Sequence, residues 1–322
     1  MRTSGLFVSV ATMLSLLFGC NQSAPRSEGN SKLEKPPAPN KISETEASSI
    51  VSPQPSDATP TGAASLDTEH TPSIDELLLF FPTKHPDGNW NPRNLEFEDV
   101  WITSDDGTRI HGWYCPCENP KAQVLYAHGN AGNLSHRAGL LKYLQNNLRV
   151  STLIFDYRGY GRSEGFSTTS GAIADTRAAS KYLANRAGVN ESDLVLMGRS
   201  LGGALVVQVA CDTKPRGLII ESSFASLKQM ASLHYPKLAW IVPRKKLDSA
   251  DAIKSYAGQL LQSHGTHDRT IPYTSGVELY DAARTKSKTF IEIPNADHND
   301  PMPNSYYATM NKYFAELARE SQ

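Results

Sequence analysis

The segment Val195–Gly203 constrains the fold of this chain more than any other. An apolar run, Val195–Met197, leads into Gly198-Arg199-Ser200-Leu201-Gly202, and Ala204–Ala210 continues as a helix pattern of small apolar residues. A Gly-x-Ser-x-Gly turn between a strand and a helix is a nucleophile elbow, whose glycines allow close backbone approach. The helix N-terminus favours negative charge beside the hydroxyl. This context predicts that Ser200 is a catalytic nucleophile, whereas the motif alone would also fit a glycine-rich turn.

Residues 1–19 have the pattern of an export signal. The apolar stretch Leu6–Phe18 follows a positively charged start and is too short to span a bilayer comfortably. It runs into Leu17-Phe18-Gly19-Cys20, which resembles a bacterial lipobox. We therefore expect a lipoprotein-type signal with Cys20 as the site of lipid attachment. An ordinary secretory signal with a chance cysteine is the alternative.

Residues 20–72 are rich in Ser, Pro, Thr, Ala, Glu and Lys and contain almost no aromatic side chains. Such a composition cannot bury enough apolar surface to offset the entropy of ordering, so it predicts a disordered tether. The lipid anchor and tether would hold the domain at residues 73–322 on a membrane of the bacterial cell envelope, outside the cytoplasm.

Strand and helix patterns alternate from about residue 73 onward. Asp99–Thr103 and Arg109–Cys115 flank the turn Ser104–Thr108, which predicts an antiparallel hairpin. The later apolar runs suit strands that are buried on both faces, so we expect an α/β fold with a mostly parallel, doubly wound sheet. Strands are predicted at Gln123–Ala127, Val150–Phe155, Asp193–Met197, Gly217–Ile220, Gln259–Ser263 and Lys288–Ile293, and helices at Leu134–Leu148, Gly171–Arg186, Tyr273–Thr285 and Asn304–Arg319.

Residues of about 225–256 interrupt this alternation. They form an insertion between two predicted strands, just past the carboxyl end of the first. Insertions at this edge of an open sheet overhang the usual ligand site. We therefore predict a small cap that shapes the substrate pocket, with Tyr235 and Trp240 as apolar lining. Ordinary surface packing is the alternative.

Two loops after late strands supply a candidate acid and a candidate base. A serine nucleophile needs a histidine base that a carboxylate orients, and in sheets of this class the chain order is Ser, acid, His. Asp268 and His298 have this order and each follows a predicted strand. Asp297 and His267 are weaker candidates, because adjacent residues rarely face each other and His267 shares the acid's own loop.

The tetrahedral intermediate of such a reaction needs N–H donors for its oxyanion. The backbone N–H of Leu201, directly after the nucleophile, is one candidate. The other should come from the loop after an early strand, Tyr126–Asn133, in which we choose the backbone N–H of Asn130. His128 and His264 are expected to be structural.

Composition argues against several other classes of function. The net charge of -1 gives no basic face for nucleic acid. The glycine-rich loop Asp156–Gly165 lacks the ending of a phosphate loop, and no metal or dinucleotide pattern stands out, so no cofactor and no metal are expected. Cys115, Cys117 and Cys211 are assigned no chemistry.

Taken together, these motifs resemble the α/β-hydrolase superfamily from about residue 75 to the end of the chain. The pattern is most similar to the branch with eukaryotic protein depalmitoylases and bacterial serine aminopeptidase-like hydrolases. The resemblance implies a Ser200–Asp268–His298 triad and acyl transfer to water. Depalmitoylation does not carry over, because the N-terminal cysteine cluster of those enzymes is missing. The similar segments are Phe80–Pro82, His128–Asn133, Asp156–Gly161, Gly198–Gly203, Glu221–Phe224, Gly265–Asp268 and Asp297–His298.

These observations predict a serine hydrolase that cleaves carboxylic esters or thioesters of a small-molecule or acylated substrate. One alternative is a peptidase, which would need a charged anchor for the substrate N-terminus. Glu221, Asp248 and Asp251 are the only hints of one. The other alternative is a tethered binding protein that kept the fold and lost activity.

Overall fold

Alternating side chains on the central strands build two hydrophobic cores, one on each face of an eight-stranded sheet. The computed structural model describes residues 71–320. On Val195–Arg199, Leu196 belongs to the first core, while Val195 and Met197 belong to the second. Both faces are covered, which explains why the central strands are apolar throughout. The predicted α/β fold is confirmed.

Ten strands lie in the described residues. Eight of them were predicted, with bounds that agree to within two residues at either end, whereas the two-residue strands Phe81–Pro82 and Ala131–Gly132 were not predicted. They are β1 (Phe81–Pro82), β2 (Glu98–Thr103), β3 (Arg109–Cys115), β4 (Gln123–Ala127), β5 (Ala131–Gly132), β6 (Ser151–Phe155), β7 (Val195–Arg199), β8 (Gly217–Glu221), β9 (Gln259–Gly265) and β10 (Lys288–Ile293).

The main sheet has the strand order β10-β9-β8-β7-β4-β6-β3-β2. Neighbours from β10 to β6 are all parallel. β3 pairs antiparallel with both β2 and β6, so the predicted antiparallel start is present. A separate parallel pair joins β1 to β5. The carboxyl ends of β4, β7, β8, β9 and β10 therefore meet along one edge, where ligand sites form in sheets of this kind.

Helices connect the parallel strands, but the predicted helix at Leu134–Leu148 is divided. It begins as a 3₁₀ turn at Leu134–Arg137, continues as an α-helix and ends in a π turn at Leu144–Leu148. Arg149 then adopts the left-handed φ of 55° and ends it. The α-helices are α1 (Ile74–Leu79), α2 (Ala138–Tyr143), α3 (Thr169–Ala187), α4 (Leu201–Thr213), α5 (Leu227–His234), α6 (Ser249–Ala252), α7 (Tyr273–Ala282) and α8 (Asn304–Glu320), with further 3₁₀ turns at Glu191–Asp193, Ala239–Ile241 and Ile253–Ser255.

The insertion at 225–256 lies between β8 and β9 and consists of α5, α6 and two of the 3₁₀ turns. Its buried residues, among them Leu227 and Val242, join the first core. At the end of α5, His234 Nε2 lies 2.8 Å from the carbonyl oxygen of Thr270, in the loop after β9. The insertion therefore borders the carboxyl edge of the sheet.

The predicted signal, Cys20 and almost all of the predicted tether lie outside the described residues. Within residues 71–320, none of the helices combines the length and apolar character needed to cross a bilayer.

We expect Gly202→Ala to destabilise the fold. A Cβ at Gly202, on the first turn of α4, would lie 2.0 Å from the carbonyl oxygen of Ala127 at the end of β4. Backbone atoms must move to accept it, at a cost of about 1–3 kcal/mol or more. Urea unfolding measures the change.

Gly139→Ala is the matched control. Gly139 is exposed in α2, and no atom lies within 4 Å of an added Cβ. This substitution should stabilise the protein by about 0.5–1 kcal/mol. Equal effects of the two substitutions would contradict close helix–strand packing at Gly202.

Candidate active site

Ser200 lies on a sharp turn between β7 and α4, with φ 55° and ψ −121°. Its N–H donates to the Glu221 carbonyl oxygen at 2.9 Å, and its carbonyl oxygen accepts from Ser223 Oγ at 2.8 Å. A positive φ is unfavourable for a residue with a Cβ, so the surrounding contacts must hold it. Gly198 and Gly202 make room for the turn, since a Cβ at Gly198 would lie 2.3 Å from the Gly202 carbonyl oxygen.

A chain of hydrogen bonds joins the three side chains that the sequence predicts as nucleophile, base and acid. The Ser200 Oγ lies 3.1 Å from His298 Nε2, and His298 Nδ1 lies 2.7 Å from Asp268 Oδ2. Ser200 is half-buried, whereas His298 and Asp268 are buried. The loops after β7, β9 and β10 supply one group each, so the sheet edge sets their spacing.

Asp268 is held as a carboxylate by several donors. Its Oδ1 accepts the backbone N–H groups of Thr270 and Ile271 at 2.9 and 2.7 Å. Burial alone would raise the pKa of Asp268, but hydrogen bonds from His264, His298 and Ile271 outweigh burial and hold that pKa below its usual value. His264, on β9, lies 3.4 Å from Asp268 Oδ2 and 2.9 Å from the Ile271 carbonyl oxygen, which fits the predicted structural role.

The weaker candidates do not join this chain of hydrogen bonds. Asp297 accepts the backbone N–H of His298 at 2.8 Å and pairs with Arg269, and neither contact is with the imidazole ring. The Nδ1 of His267 lies 3.3 Å from the neighbouring Thr266 hydroxyl. Asp268 therefore faces the His298 ring and Asp297 does not.

The loop with Asn130 lies against the nucleophile turn. A Cβ at Gly129 would lie 3.7 Å from the Cβ of Ser200. The Asn130 side chain accepts from the Phe81 N–H and from the Tyr160 hydroxyl, and it donates to the Leu79 carbonyl oxygen. The backbone N–H groups of Asn130 and Leu201 have no acceptor among the described residues. Both are therefore available to an oxygen atom of a bound ligand.

His128 is fully buried and braces this loop from behind. Its Nδ1 lies 2.7 Å from the Gly129 carbonyl oxygen, and its Nε2 lies 3.3 Å from Asp156. The Tyr157 hydroxyl donates to the His128 carbonyl oxygen at 2.7 Å. The predicted structural role of His128 agrees with these contacts.

The described residues also contain three cysteines, to which the sequence assigned no role. Cys115, Cys117 and Cys211 are free thiols, and burial raises the pKa of Cys115 to about 12. Within residues 71–320, no three His, Cys, Asp or Glu side chains gather where they could bind a metal ion.

Comparisons with known proteins agree with this fold. A family model described as serine aminopeptidase, S33 matches residues 118–257, a range that includes Ser200 and ends before Asp268. The uncharacterized protein YfhR of Salmonella typhi is 34% identical over 240 residues, which cover 69% of this chain and 82% of that protein. The α/β-hydrolase domain-containing protein WAV2 of Arabidopsis thaliana is 34% identical over 229 residues, which cover 64% of this chain and 74% of that protein.

The chain belongs to the α/β-hydrolase family. An esterase of Pyrococcus furiosus shares the hydrolase fold with a TM-score of 0.59 at 20% identity, over 75% of this chain and 98% of that one.

Two further side chains, Arg199 and Tyr306, lie around this site, and the sequence patterns gave neither of them a role. Arg199, the variable position before the nucleophile, donates from Nη2 to the His298 carbonyl oxygen at 2.6 Å. Its Nη1 lies 3.9 Å from the buried carboxyl of Glu221, which accepts from the Tyr306 hydroxyl at 2.5 Å. Burial raises the pKa of Glu221 more than Arg199 and Tyr306 lower it. The position of Glu221 at the end of an apolar strand could have indicated this cluster. The sequence around Tyr306 contains no pattern that indicates its contact with Glu221.

We expect Asp268→Asn to lower the free energy of unfolding, and to lower it most at neutral pH. The pKa of Asp268 lies below its usual value of 3.8, so its carboxylate stabilises the folded state above that pH and the benefit is lost as the pH falls. At pH 7 the loss should be about 1–3 kcal/mol. Urea unfolding at a series of pH values measures it.

The control for this prediction is Asp281→Asn, which changes an exposed carboxylate on α7. This variant should unfold like the wild type at every pH. A difference between Asp268→Asn and wild type that stays constant down to about pH 3 would contradict the argument.

Proposed function

We propose that this α/β hydrolase is a serine esterase or thioesterase, with Ser200 as nucleophile, His298 as base and Asp268 as the orienting acid. The observation that carries the proposal is the continuous hydrogen-bond chain from Ser200 Oγ through His298 to Asp268 on a strained nucleophile turn. Such a chain activates a hydroxyl that is otherwise a poor nucleophile.

The proposed reaction begins at the nucleophile. Ser200 Oγ attacks the carbonyl carbon and gives its proton to His298 Nε2. The C–O or C–S bond to the leaving group then breaks, and the alkoxide or thiolate takes that proton. Water repeats the sequence on the acyl-serine and releases the acid. The N–H groups of Leu201 and Asn130 would stabilise the oxyanion of both tetrahedral intermediates.

The placement of the acidic residues favours esters over peptides. A peptidase that trims N-termini needs a free carboxylate to bind the substrate ammonium group. Glu221 is 1% exposed and hydrogen-bonded to Tyr306, Asp248 caps α6 by accepting the Asp251 N–H, and Asp251 pairs with Lys254. Each of the three carboxylates thus already has a partner within the chain.

The other alternative is a binding protein without activity. The intact hydrogen-bond chain argues against this, because the strained turn at Ser200 has no evident purpose in ligand binding alone. Tethering to the cell envelope through Cys20 is a separate proposal that rests on the N-terminal sequence. Such a tether would bring the active site within reach of esters at or near a membrane.

Ser200→Ala should abolish hydrolysis of p-nitrophenyl esters by the full chain, with a loss of at least about a thousandfold in kcat/KM. A fluorophosphonate probe should label wild type and not the variant. The control is Ser232→Ala, which removes an exposed hydroxyl on α5 and should change neither result. Labelled protein that cleaves aminoacyl p-nitroanilides but no ester would favour the peptidase, and no labelling would favour a binding protein.

Asn130→Ala should lower kcat for the same esters by roughly tenfold to a hundredfold, with little change in KM. The substitution keeps the backbone N–H but removes the side-chain contacts to Leu79, Phe81 and Tyr160 that position it. Asn146→Ala, at an exposed amide, is the control. A kcat equal to wild type would show that the side-chain contacts of Asn130 are not needed to position its backbone N–H.

A further inference from the structure

The segment Leu227–Leu247 of the insertion has an unusual composition for a nearly neutral chain. It contains five Lys and Arg residues and no Asp or Glu, although the whole chain has a net charge of -1. It also carries three of the large apolar side chains that are exposed in the described residues, Leu233, Leu238 and Trp240. Basic side chains and exposed apolar side chains thus lie close together in the sequence of the insertion.

Trp240 is held outward by an ordered turn. Its side chain is 78% exposed, whereas Ala239 and Val242 beside it are buried. The Ile241 N–H donates to the Leu238 carbonyl oxygen at 3.0 Å, and Lys228 Nζ donates to the carbonyl oxygens of Ala239 and Val242. The exposure of Trp240 is therefore built into the turn, although tryptophan usually buries most of its large surface.

The basic residues of this segment divide into two groups. Lys228 bonds to backbone carbonyls, and Lys246 pairs with Asp75 and Glu76 of α1 at 2.6 and 3.0 Å. The other three, Lys237, Arg244 and Lys245, are exposed and form no ion pair with any described residue. We name Leu233, Lys237, Leu238, Trp240, Arg244 and Lys245 the cap face.

The cap face belongs to the same insertion that borders the candidate active site. His234, next to Leu233, contacts the Thr270 carbonyl oxygen, and the Thr270 N–H donates to Asp268 at 2.9 Å. A surface that met the cap face would thus lie near the edge of the sheet that carries Ser200 and His298.

We propose that the cap face docks on an anionic lipid surface. Exposed Trp and Leu side chains gain from entering the interfacial layer of a bilayer, where tryptophan is enriched. Unpaired Lys and Arg beside them are attracted to anionic headgroups. An acidic protein would also pair with the three cations. It would not explain why the indole of Trp240 protrudes from a segment that has no acidic residues. The proposal concerns Trp240 and not Ser200, so it stands independently of the proposed hydrolysis.

Tryptophan quenching in vesicles tests the proposal with the full chain. The protein is reconstituted into vesicles of acyl-brominated phosphatidylcholine, with or without phosphatidylglycerol. Of the four tryptophans, the contribution of Trp240 is the difference between wild type and Trp240→Phe. We expect bromine to quench Trp240 in the anionic vesicles, and less so in neutral vesicles or at high salt. Any binding of the N-terminal region to the vesicles is common to wild type and Trp240→Phe, so it cancels in the difference between their spectra.

Charge variants separate lipid docking from other contacts. The triple variant Lys237→Gln, Arg244→Gln and Lys245→Gln should weaken docking by roughly fivefold for each lost charge. The matched triple variant Lys181→Gln, Lys214→Gln and Lys286→Gln removes three exposed cations elsewhere and should quench like wild type. Trp101→Phe controls for the loss of another exposed indole.

Three results would overturn the proposal. One is emission from Trp240 that bromine does not quench in anionic vesicles. Another is quenching that the cap-face triple variant leaves unchanged. The third is a Trp240 spectrum that responds to soluble polyglutamate and not to vesicles, which would indicate an acidic protein partner. Thermal unfolding equal to wild type verifies that each variant is folded.

Discussion

The contact between Gly202 and the end of β4 positions most of the candidate active site. An added Cβ at Gly202 would lie 2.0 Å from the Ala127 carbonyl oxygen and 2.6 Å from that of His128. With α4 this close to β4, the chain has no room for a gradual turn after β7, so Ser200 adopts φ 55°. The same closeness brings the loop after β4, with Asn130, beside Ser200. One backbone contact therefore sets the nucleophile and its predicted oxyanion donors together.

Two buried carboxyl groups near the nucleophile show how donors decide charge. Asp268 receives two backbone N–H groups and lies near two imidazoles, and its pKa falls below the usual value. Glu221 receives one hydroxyl and lies 3.9 Å from Arg199, and burial raises its pKa. A full negative charge is thus stabilised where it can orient His298 and stabilise an imidazolium. Burial disfavours such a charge at Glu221, whose backbone carbonyl oxygen accepts the Ser200 N–H.

Sequence patterns predicted the parts of this site that depend on strand ends. Ser200, Asp268 and His298 each follow a run of apolar residues, and parallel strands must bring such positions to one edge. The antiparallel start was equally visible, because a turn sequence separates its two strands. Contacts between distant segments had no comparable signal. The bond from Arg199 to the His298 carbonyl oxygen spans 99 positions, and that from Tyr306 to Glu221 spans 85. Local propensity and periodicity carry no information at that range.

The short helix α1 links the insertion to two other parts of the fold. Lys246 pairs with Glu76 on α1, and Glu76 accepts the Thr169 N–H at the start of α3. At its other end, α1 presents the Leu79 carbonyl oxygen to the Asn130 side chain. This short helix thus joins the insertion to the predicted oxyanion loop. The contact between His234 and Thr270 joins the insertion to the loop of Asp268. The strained turn at Ser200, by contrast, is fixed by β4 and β8. A cap anchored at two loops but not at the nucleophile can meet an outside surface without disturbing the turn on which the chemistry depends.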